Sequence, residues 1–497
     1  MALLMNDGKK NLAMSENIKL DVSTEIPLIV DLDGTLVLSD TLHESVARFF
    51  IQNPFLNLFK MIVWLFYGKA KFKEKLSLQT NIRPELLPYN QPFLDWIKLQ
   101  KQTGRKLFLC TAASKAIADK VSIHLNIFDD VFCSSAISNN SAQKKALFLK
   151  DKFGENNYIY AGNSFDDISV WEKAAKKIVV NPSSALKTKL QNANLQYIFF
   201  PTEKKILFSF LKPLRIHQWA KNLLIFFPLI AAHQLYNFDN ILMLFGAFLS
   251  ISLCASSTYI INDIIDLDSD RLHPRKKYRS FASGETSLQF ALLTLLLLPA
   301  SIFLSSMIGK NFMIILLLYI FLTISYSLFL KIIPVIDCIV LAALYTIRII
   351  AGALVINNTP SFWLIAFSIL FFFSLAFLKR YSELLSAKDL GETIIHGRGY
   401  FSSDSPLILS LGVSSALGSV IVMMLYLNSP EILQLYNYPQ IVWFTIPILL
   451  FWISHIWLQA NRGHMHDDPV IFAIKDHVSI LSAITFFICI ILGARGF

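Results

Sequence analysis

Two aspartates lie two residues apart near the N-terminus, in the run DLDGT that directly follows an apolar segment, residues 26–30. A β-strand in that segment would place Asp31 at its carboxyl end, where parallel α/β sheets bind ligands. A carboxylate at that position can attack a phosphoryl group and form an aspartyl-phosphate. Asp33 can return to the same point as general acid and base. The pattern therefore indicates phosphoryl chemistry.

Three later segments supply groups that this chemistry needs. Thr111 follows a second apolar strand and offers its hydroxyl to a phosphoryl oxygen. Lys145 opens an apparent helix and can neutralise the transferring charge, although Lys144 competes for that role. Asp167 follows a third apolar strand and can share Mg²⁺, which prefers oxygen ligands, with the first aspartates. The predicted metal ligands here are Asp31, Asp33 and Asp167.

These four elements, in this order, resemble the haloacid dehalogenase (HAD) phosphatase superfamily over about residues 26–200. The resemblance implies an α/β Rossmann-like domain with a small helical cap, Asp31 as nucleophile and Asp33 as acid and base. Asn163 stands where many members have an acidic residue, which would weaken one metal contact. A degenerate domain that serves only as a scaffold is the alternative.

A second group of polar side chains ends an apolar stretch in the C-terminal part. Asn262, Asp266 and Asp270 are spaced i, i+4, i+8, so a continuous helix would place them on one face. Carboxylates at a membrane boundary are costly and usually functional, and Mg²⁺ with substrate phosphates would satisfy them. A basic run follows that can hold a diphosphate or only orient the membrane domain. It consists of Arg271, Arg275, Lys276, Lys277 and Arg279.

This segment resembles the first aspartate-rich motif of the UbiA-superfamily intramembrane prenyltransferases, and the resemblance covers about residues 205–497. The second aspartate-rich motif of that superfamily is missing, and Lys379, Arg380 and Glu383 stand in its region. This departure resembles the branch of polyprenyl-phosphate phosphoribosyltransferases, decaprenyl in the best-known members. It implies phosphoribosyl pyrophosphate (PRPP) as donor, a polyprenyl phosphate (decaprenyl or undecaprenyl) as acceptor, and Mg²⁺ at the aspartates.

Such a transfer needs cationic clamping, because the acceptor phosphate is already anionic and needs no strong base. The candidates are Lys221, Arg348, Lys379 and Arg380. Arg348 lies within a span and needs a partner there, and a structural pair with Asp337 is the alternative. Residues 464–468 are interpreted as a loop that caps the substrate cavity rather than as a metal site.

Hydropathy defines the elements that must position these groups. The chain has 497 residues, of which 54% are hydrophobic, and a formal net charge of +10. Such a composition excludes a disordered chain and an ordinary soluble globule. Nine stretches approach the ~20 residues needed to cross a bilayer: 219–235, 241–261, 288–307, 312–330, 335–356, 362–377, 407–427, 441–458 and 479–492.

The loop charges predict an orientation. Almost all Arg and Lys residues of the loops fall on the side of the N-terminal domain, which predicts a multi-pass protein of the bacterial inner (cytoplasmic) membrane. Both active sites would face the cytoplasm and the C-terminus would lie outside. The apolar residues 55–66 are either part of a helical cap or a surface on the bilayer, and both interpretations stay open.

These patterns predict residues 1–24 as a flexible N-terminus, 25–203 as the HAD-like domain and 204–497 as an all-α bundle of nine transmembrane helices. The hypothesis is a bifunctional enzyme: phosphoribosyl transfer to a polyprenyl phosphate, then removal of the ribose 5-phosphate by the HAD domain. The alternatives are an aromatic prenyltransferase with a separately acting phosphatase, and a transporter. No nucleic-acid partner is expected, and the oligomeric state stays open.

Overall fold

The computed structural model describes residues 22–133, 142–193, 196–200, 211–232, 234, 236–273, 276–389, 391, 393, 398–430, 436–465 and 468–495. Arg275 and residues 466–467 of the predicted capping loop lie outside them. The chain divides into two units. The N-terminal unit comprises the residues up to Pro213 together with Asp263–Ala291, and the membrane unit comprises Leu214–Asn262 and Leu292–Phe497.

Six parallel strands form the sheet of the N-terminal unit in the order β3-β2-β1-β4-β5-β6. They are β1 (Leu28–Val30), β2 (Leu107–Cys110), β3 (Asp130–Phe132), β4 (Ile159–Gly162), β5 (Lys176–Val180) and β6 (Tyr197–Phe200). Strand β1 pairs with β2 on one side and β4 on the other, so the strand order reverses there. Ligands of open α/β sheets bind at the carboxyl ends next to such a reversal. The predicted Rossmann-like α/β architecture is confirmed.

Apolar side chains of the sheet point alternately to its two faces, as a strand repeat of two residues requires. Leu28 and Val30 pack in one buried cluster, while Ile29 packs in another. Helices cover both faces: α1 (Thr41–Gln52), α2 (Pro54–Phe66), α3 (Lys69–Gln79), α4 (Gln91–Gln102), α5 (Lys115–Leu125), α6 (Ala142–Phe153), α7 (Ile168–Trp171) and α8 (Ser184–Asn192). A small cluster of Phe49, Met61, Trp64, Phe72 and Leu76 joins α1, α2 and α3, which lie between β1 and β2 in the chain.

Short helices form most of the membrane unit's first part, followed by long apolar ones. The α-helices from here on are α9 (Phe227–Ala231), α10 (Phe238–Ile265), α11 (Leu267–Leu272), α12 (Thr294–Ile308), α13 (Lys310–Leu328), α14 (Ile336–Val355), α15 (Phe362–Asp389), α16 (Ser405–Leu427), α17 (Pro439–Val442), α18 (Thr445–Asn461), α19 (Pro469–Lys475) and α20 (His477–Arg495). The last three residues of α10, from Asp263 to Ile265, and all of α11 belong to the N-terminal unit.

Within the described residues, eight helices are long and apolar enough to cross a membrane. The predicted count of nine is therefore not confirmed. The stretch predicted as the first span, 219–235, contains a 3₁₀ helix, Ile216–Phe226, followed by the five-residue α9. Neither piece alone approaches the ~20 residues that a helical span requires.

The predicted continuous helix through the aspartate-rich segment is also corrected. Helix α10 ends at Ile265, and Asp266 lies at the break before α11 with a ψ of 7°. Asp266 is the N-terminal cap of α11, because the Asp270 amide donates to the Asp266 carbonyl at 2.8 Å and closes the first turn of that helix. Asn262 thus lies on one helix and Asp270 on the next, rather than on one uninterrupted face.

Candidate active sites

Asp31, Lys145 and Asp167 come together at the carboxyl edge of the sheet. Asp31 directly follows β1, and its Oδ1 accepts from the Lys145 Nζ at 2.9 Å. The same ammonium lies 3.8 Å from Asp167 Oδ1, at the end of β4. Lys144, the competing candidate, is exposed on the other side of α6. The structure therefore brings Lys145, and not Lys144, to the predicted nucleophile.

Asp33 is held by the start of helix α1. Its Oδ1 accepts from the Thr41 amide at 2.8 Å, where Asp40 caps the helix by accepting from the Leu42 amide at 2.8 Å. Burial, together with the neighbouring Asp40, raises the pKa of Asp33 to about 7. Burial also raises the pKa of Asp31 to about 6, although Lys145 opposes that shift. A carboxyl that keeps its proton near neutral pH can donate it to a leaving group.

The groups surround a cavity of about 410 Å³. Its lining also includes polar residues that were not among the predicted catalytic and binding residues: Ser39, Asp40, Lys73, Ser77, Asn163, Ser164, Asp166 and Ser287. Asp166 adjoins Asp167 in sequence, so the acidic pair itself was a signal for it. Ser287 is some 250 residues from Asp31, and no local pattern pointed to it. Thr111 is buried at the end of β2, and its Oγ1 accepts from the Ala113 amide at 3.0 Å.

Asp167, the third predicted metal ligand of this site, is surrounded by hydrogen-bond donors. Its Oδ1 accepts from the Tyr160 hydroxyl at 2.6 Å, and its Oδ2 accepts from the amides of Asn163 and Ser164, both at 2.9 Å. The Ser164 hydroxyl donates to Oδ2 as well. A carboxylate that accepts this many hydrogen bonds orients the loop after β4. Its Oδ1 also lies 3.8 Å from the Lys145 ammonium, and its role as a metal ligand stays a prediction.

The donor set around the cavity still fits Mg²⁺. Asp31, Asp166 and the Asn163 amide offer oxygen ligands at one cavity, and Mg²⁺ is commonly bound through one or two carboxylates plus substrate phosphate and water. Across the described residues, no group of three or more His, Cys, Asp and Glu side chains has the arrangement of a complete metal site. Substrate oxygens would therefore have to complete the coordination.

The aspartate-rich segment forms ion pairs inside the N-terminal unit. The Arg279 guanidinium donates to Asp270 Oδ2 at 2.7 Å and to Asp263 Oδ1 at 3.4 Å. Burial raises the pKa of Asp270, an effect that Arg279 opposes. Arg271 donates to both carboxylate oxygens of Glu44 on α1, at 2.6 and 3.0 Å. Two residues of the predicted diphosphate-binding run are thus engaged by carboxylates.

Of the remaining basic residues of that run, Lys276 and Lys277 lie in a 3₁₀ turn, Lys276–Tyr278. The Lys277 ammonium is 5.3 Å from the Tyr278 ring centroid. Both lysines follow the aspartates in sequence, and their role in substrate binding stays a prediction.

In the membrane unit, two predicted cations meet at one carboxylate. Asp468 precedes α19, and its Oδ2 accepts from Lys221 at 2.6 Å and from Lys379 at 3.3 Å. Burial disfavours the charge of Asp468, but Lys379 and Lys221 together hold its pKa well below the usual range. The Tyr345 ring lies 5.9 Å from the Lys221 ammonium. The loop predicted to cap the cavity therefore supplies a counter-ion to the predicted phosphate clamp.

Arg348 joins this cluster and is not paired with Asp337, the alternative partner. Its Nε donates to Asn222 Oδ1 and its Nη2 to the Tyr319 hydroxyl, each at 2.8 Å. Its guanidinium carbon is 5.5 Å from the Tyr345 ring centroid. These partners are neutral, so they do not compensate the positive charge of Arg348. That charge would therefore stabilise an anion bound nearby.

Arg380 and Glu383 have a different environment from the one predicted. Arg380 is fully buried, and its Nε donates to Asp337 Oδ2 at 2.6 Å, while its Nη1 contacts the Glu383 carboxylate. The Tyr400 hydroxyl donates to the other oxygen of Asp337 at 2.6 Å. These buried contacts join α14 and α15, and the role of Arg380 and Glu383 in substrate binding stays a prediction.

A large apolar cavity of about 760 Å³ lies within the membrane unit. Phe227, Phe371, Trp452 and Ile474 are among its lining residues, and almost no polar atoms face it. Phe371 and Trp452 stack with ring centroids 5.7 Å apart. Such a space suits a hydrocarbon chain better than a polar ligand.

Comparison with known proteins identifies the family of the membrane unit. The model of the UbiA prenyltransferase family matches residues 223–473, which is half of the chain. The chain belongs to the UbiA prenyltransferase family, a family of transferases that are integral to membranes. The aspartate-rich segment and the Lys221, Arg348 and Lys379 cluster all lie in or beside the matched part.

Individual relatives cover different parts of the chain. An uncharacterised protein of Sinorhizobium fredii is 37% identical over 92% of this chain and 88% of its own length, so the match extends through both units. The decaprenyl-phosphate phosphoribosyltransferase of Mycolicibacterium smegmatis is 28% identical over 55% of this chain and 89% of its own. A solved UbiA homolog from Archaeoglobus fulgidus, bound to GPP and Mg²⁺, is 17% identical over 57% of this chain and 99% of its own, with a TM-score of 0.43.

Proposed function

We propose that the chain is a bifunctional membrane enzyme that transfers a 5-phosphoribosyl group from PRPP to a polyprenyl phosphate and then removes the 5-phosphate. The similarity to decaprenyl-phosphate phosphoribosyltransferase supports the first step. The convergence of Lys221 and Lys379 on Asp468 is the structural observation that carries it. Lys379 lies in the region where an enzyme that uses a prenyl diphosphate would need a second set of carboxylates.

In the proposed transfer, an oxygen of the lipid phosphate attacks the ribose C1, the bond from C1 to the pyrophosphate oxygen breaks, and pyrophosphate leaves. Lys221, Lys379 and Arg348 hold and orient the anionic acceptor, which raises the effective concentration of the nucleophile. The apolar cavity receives the first part of the polyprenyl chain. Asn262, Asp266 and Asp270 would hold Mg²⁺, which supplies charge stabilisation to the departing pyrophosphate.

In the proposed hydrolysis, Asp31 attacks the phosphorus of the ribose 5-phosphate and forms an aspartyl-phosphate, while Asp33 gives its proton to the leaving ribose 5-oxygen. Asp33, now a base, takes a proton from the water that hydrolyses this intermediate and releases inorganic phosphate. Lys145 stabilises the negative charge on the transferring group, since it lies 2.9 Å from the nucleophile. The proposed product is a polyprenyl-phosphoryl-ribose.

The experiment supplies purified full-length protein in lipid vesicles with PRPP, decaprenyl phosphate and Mg²⁺. Release of both pyrophosphate and inorganic phosphate is expected. Asp31→Asn should abolish the release of inorganic phosphate and leave the release of pyrophosphate unchanged. Lys145→Met should lower the rate of inorganic phosphate release by about 100-fold or more. Lys144→Met, at an exposed position, is the matched control. Turnover of a prenyl diphosphate with a phenolic acceptor, without any reaction of PRPP, would instead establish the aromatic prenyltransferase alternative.

A further inference from the structure

Helix α2, Pro54–Phe66, exposes an apolar surface that no described part of its own unit covers. Asn57, Met61 and Trp64 form its buried stripe, which packs against α1 and α3. The rest of the helix is equally apolar but faces outward, with Phe59 66% exposed and Phe66 87% exposed. The other exposed apolar residues of this surface are Leu56, Leu58, Ile62, Leu65 and Tyr67.

A continuous exposed apolar surface of this kind marks an interaction site. The apolar part of the helix, Leu56–Phe66, is too short to cross a bilayer, which needs about 20 residues. It is long enough to lie in the headgroup region with one face among the acyl chains. Two observations favour that occupant. Among the described residues, eight helices are long and apolar enough to span a membrane, and the surface is flanked by positive charge.

The flanking charge comes from helix α3 and from α2 itself. Between Pro54 and Gln79 the sequence has five lysines and a single acidic residue, Glu74. Lys71 is exposed, and the Lys75 ammonium lies 4.5 Å from the Tyr67 ring centroid at the end of the apolar surface. Lysines beside an interfacial helix bind anionic lipid headgroups.

We propose that the α2 surface docks on the cytoplasmic leaflet of an anionic bilayer. The docking has a consequence for the hydrolase cavity, because Lys73 and Ser77 of the adjoining helix α3 are among its lining residues. A cap that rests on the bilayer would present the cavity to a phosphate carried by a lipid. The inference does not depend on the identity of the reaction.

The test measures the environment of single labels on the full-length protein. Phe59→Cys and Phe66→Cys each receive an environment-sensitive fluorophore in a Cys489→Ser background, since the other native cysteines are buried. Ile123→Cys is the matched control, because it is 78% exposed on α5 of the same unit. The protein is reconstituted in vesicles of phosphatidylethanolamine and phosphatidylglycerol that contain phospholipids with brominated acyl chains.

Brominated lipids should quench the labels at 59 and 66 about twofold or more compared with the label at 123, and aqueous iodide should show the reverse order. Replacing phosphatidylglycerol by phosphatidylcholine should weaken the lipid quenching. Equal access of iodide to all three labels would overturn the proposal. Labels that are shielded from iodide but are not quenched by brominated lipids would also overturn the proposal. If energy transfer between labelled copies accompanied that result, the occupant of the surface would be a second copy of the chain. These readouts need no turnover, so they remain separate from the fate of the proposed function.

Discussion

Glu44 on helix α1 accepts two hydrogen bonds from Arg271, the residue that follows Asp270 in the aspartate-rich segment. Glu44 is fully buried, and it also accepts from Arg48 on its own helix. The Arg271 Nε donates to the Ala282 carbonyl and so holds the turn after the aspartates. The Glu44 carboxylate thus links two parts of the N-terminal unit. One is helix α1, whose first amide binds Asp33, and the other is the aspartate-rich segment with the predicted metal ligands Asp266 and Asp270.

Removing this charge should destabilise the N-terminal unit. Glu44→Gln leaves Arg271 and Arg48 buried without their shared carboxylate, and breaking a buried ion pair on one side typically costs about 3–5 kcal/mol. Thermal unfolding in detergent should show a clearly lower Tm, whereas exposed Glu74→Gln should be close to the wild type. An unchanged Tm for Glu44→Gln would show that the ion pair contributes no stability.

The pH dependence of this stability follows from the same pair. Burial opposes the charge of Glu44, but Arg271 and then Arg48 lower its pKa to about 2 from an ordinary value of 4.5. The stabilisation is therefore present above about pH 4.5 and is lost as the pH falls towards 2, where the folded state also takes up the proton. The difference in Tm between wild type and Glu44→Gln should shrink over that range. A constant difference would contradict the assignment.

The proposed hydrolysis should depend on pH through Asp31 and Asp33. Burial raises the pKa of Asp31 to about 6 and that of Asp33 to about 7. Because Asp31 must be ionised to attack and Asp33 must be protonated to donate, kcat/KM for phosphate release should decline above pH 7 and below pH 6. Asp33→Asn should lower the rate by about 100-fold or more and remove the alkaline limb. An alkaline limb that persists in Asp33→Asn would assign it to another group.

Gly284 and Ser287 line the same cavity as Asp31 and Lys145, although they follow the aspartate-rich segment in sequence. Gly284 has φ +73°, and a Cβ there would lie 2.8 Å from the Leu38 Cβ, so only glycine fits this turn. Ser287→Trp should narrow the cavity. The rate of hydrolysis of a lipid-linked ribose 5-phosphate should then fall about tenfold or more, whereas the rate for a small phosphomonoester should be largely retained. Ser283→Trp, on the same turn outside the cavity lining, is the control. Equal losses on both substrates would contradict a role in selectivity.

In the membrane unit, Lys379→Met should weaken the use of polyprenyl phosphate. Loss of a charged hydrogen bond to a phosphate costs about 1.5–3 kcal/mol, which corresponds to a roughly 10- to 150-fold rise in KM for the lipid. Lys388→Met, near the end of the same helix, provides a matched change of charge. A rise in KM for PRPP instead, with the lipid unaffected, would assign Lys379 to the donor.

The α/β domain and the meeting of Asp31 with Lys145 could be predicted from the sequence, because short apolar strands followed by polar residues determine where the side chains meet. Lys145 reaches Asp31 from a helix more than a hundred residues away, and the order of the elements was sufficient to anticipate that contact. Asp167 was predicted as a metal ligand, but the four donors around it depend on the fold of the loop after β4.

Long-range pairing was the part that local patterns could not predict. Arg271 and Arg380 belong to basic sequences typical of phosphate binding, yet Glu44 and Asp337 engage them from distant helices. The break at Asp266 was missed because the i, i+4, i+8 spacing is satisfied equally by two consecutive helices. The first predicted span was apolar enough, but its residues form two short helices whose extent hydropathy alone does not determine.

The most direct test of the account is the mass of the lipid product. Wild-type protein supplied with PRPP, decaprenyl phosphate and Mg²⁺ should yield decaprenyl-phosphoryl-ribose, and Asp31→Asn should yield the same lipid with one additional phosphate. Asp270→Asn should yield neither. A wild-type product that retains the 5-phosphate, or an Asp31→Asn product that lacks it, would contradict the coupling of the two reactions in this chain.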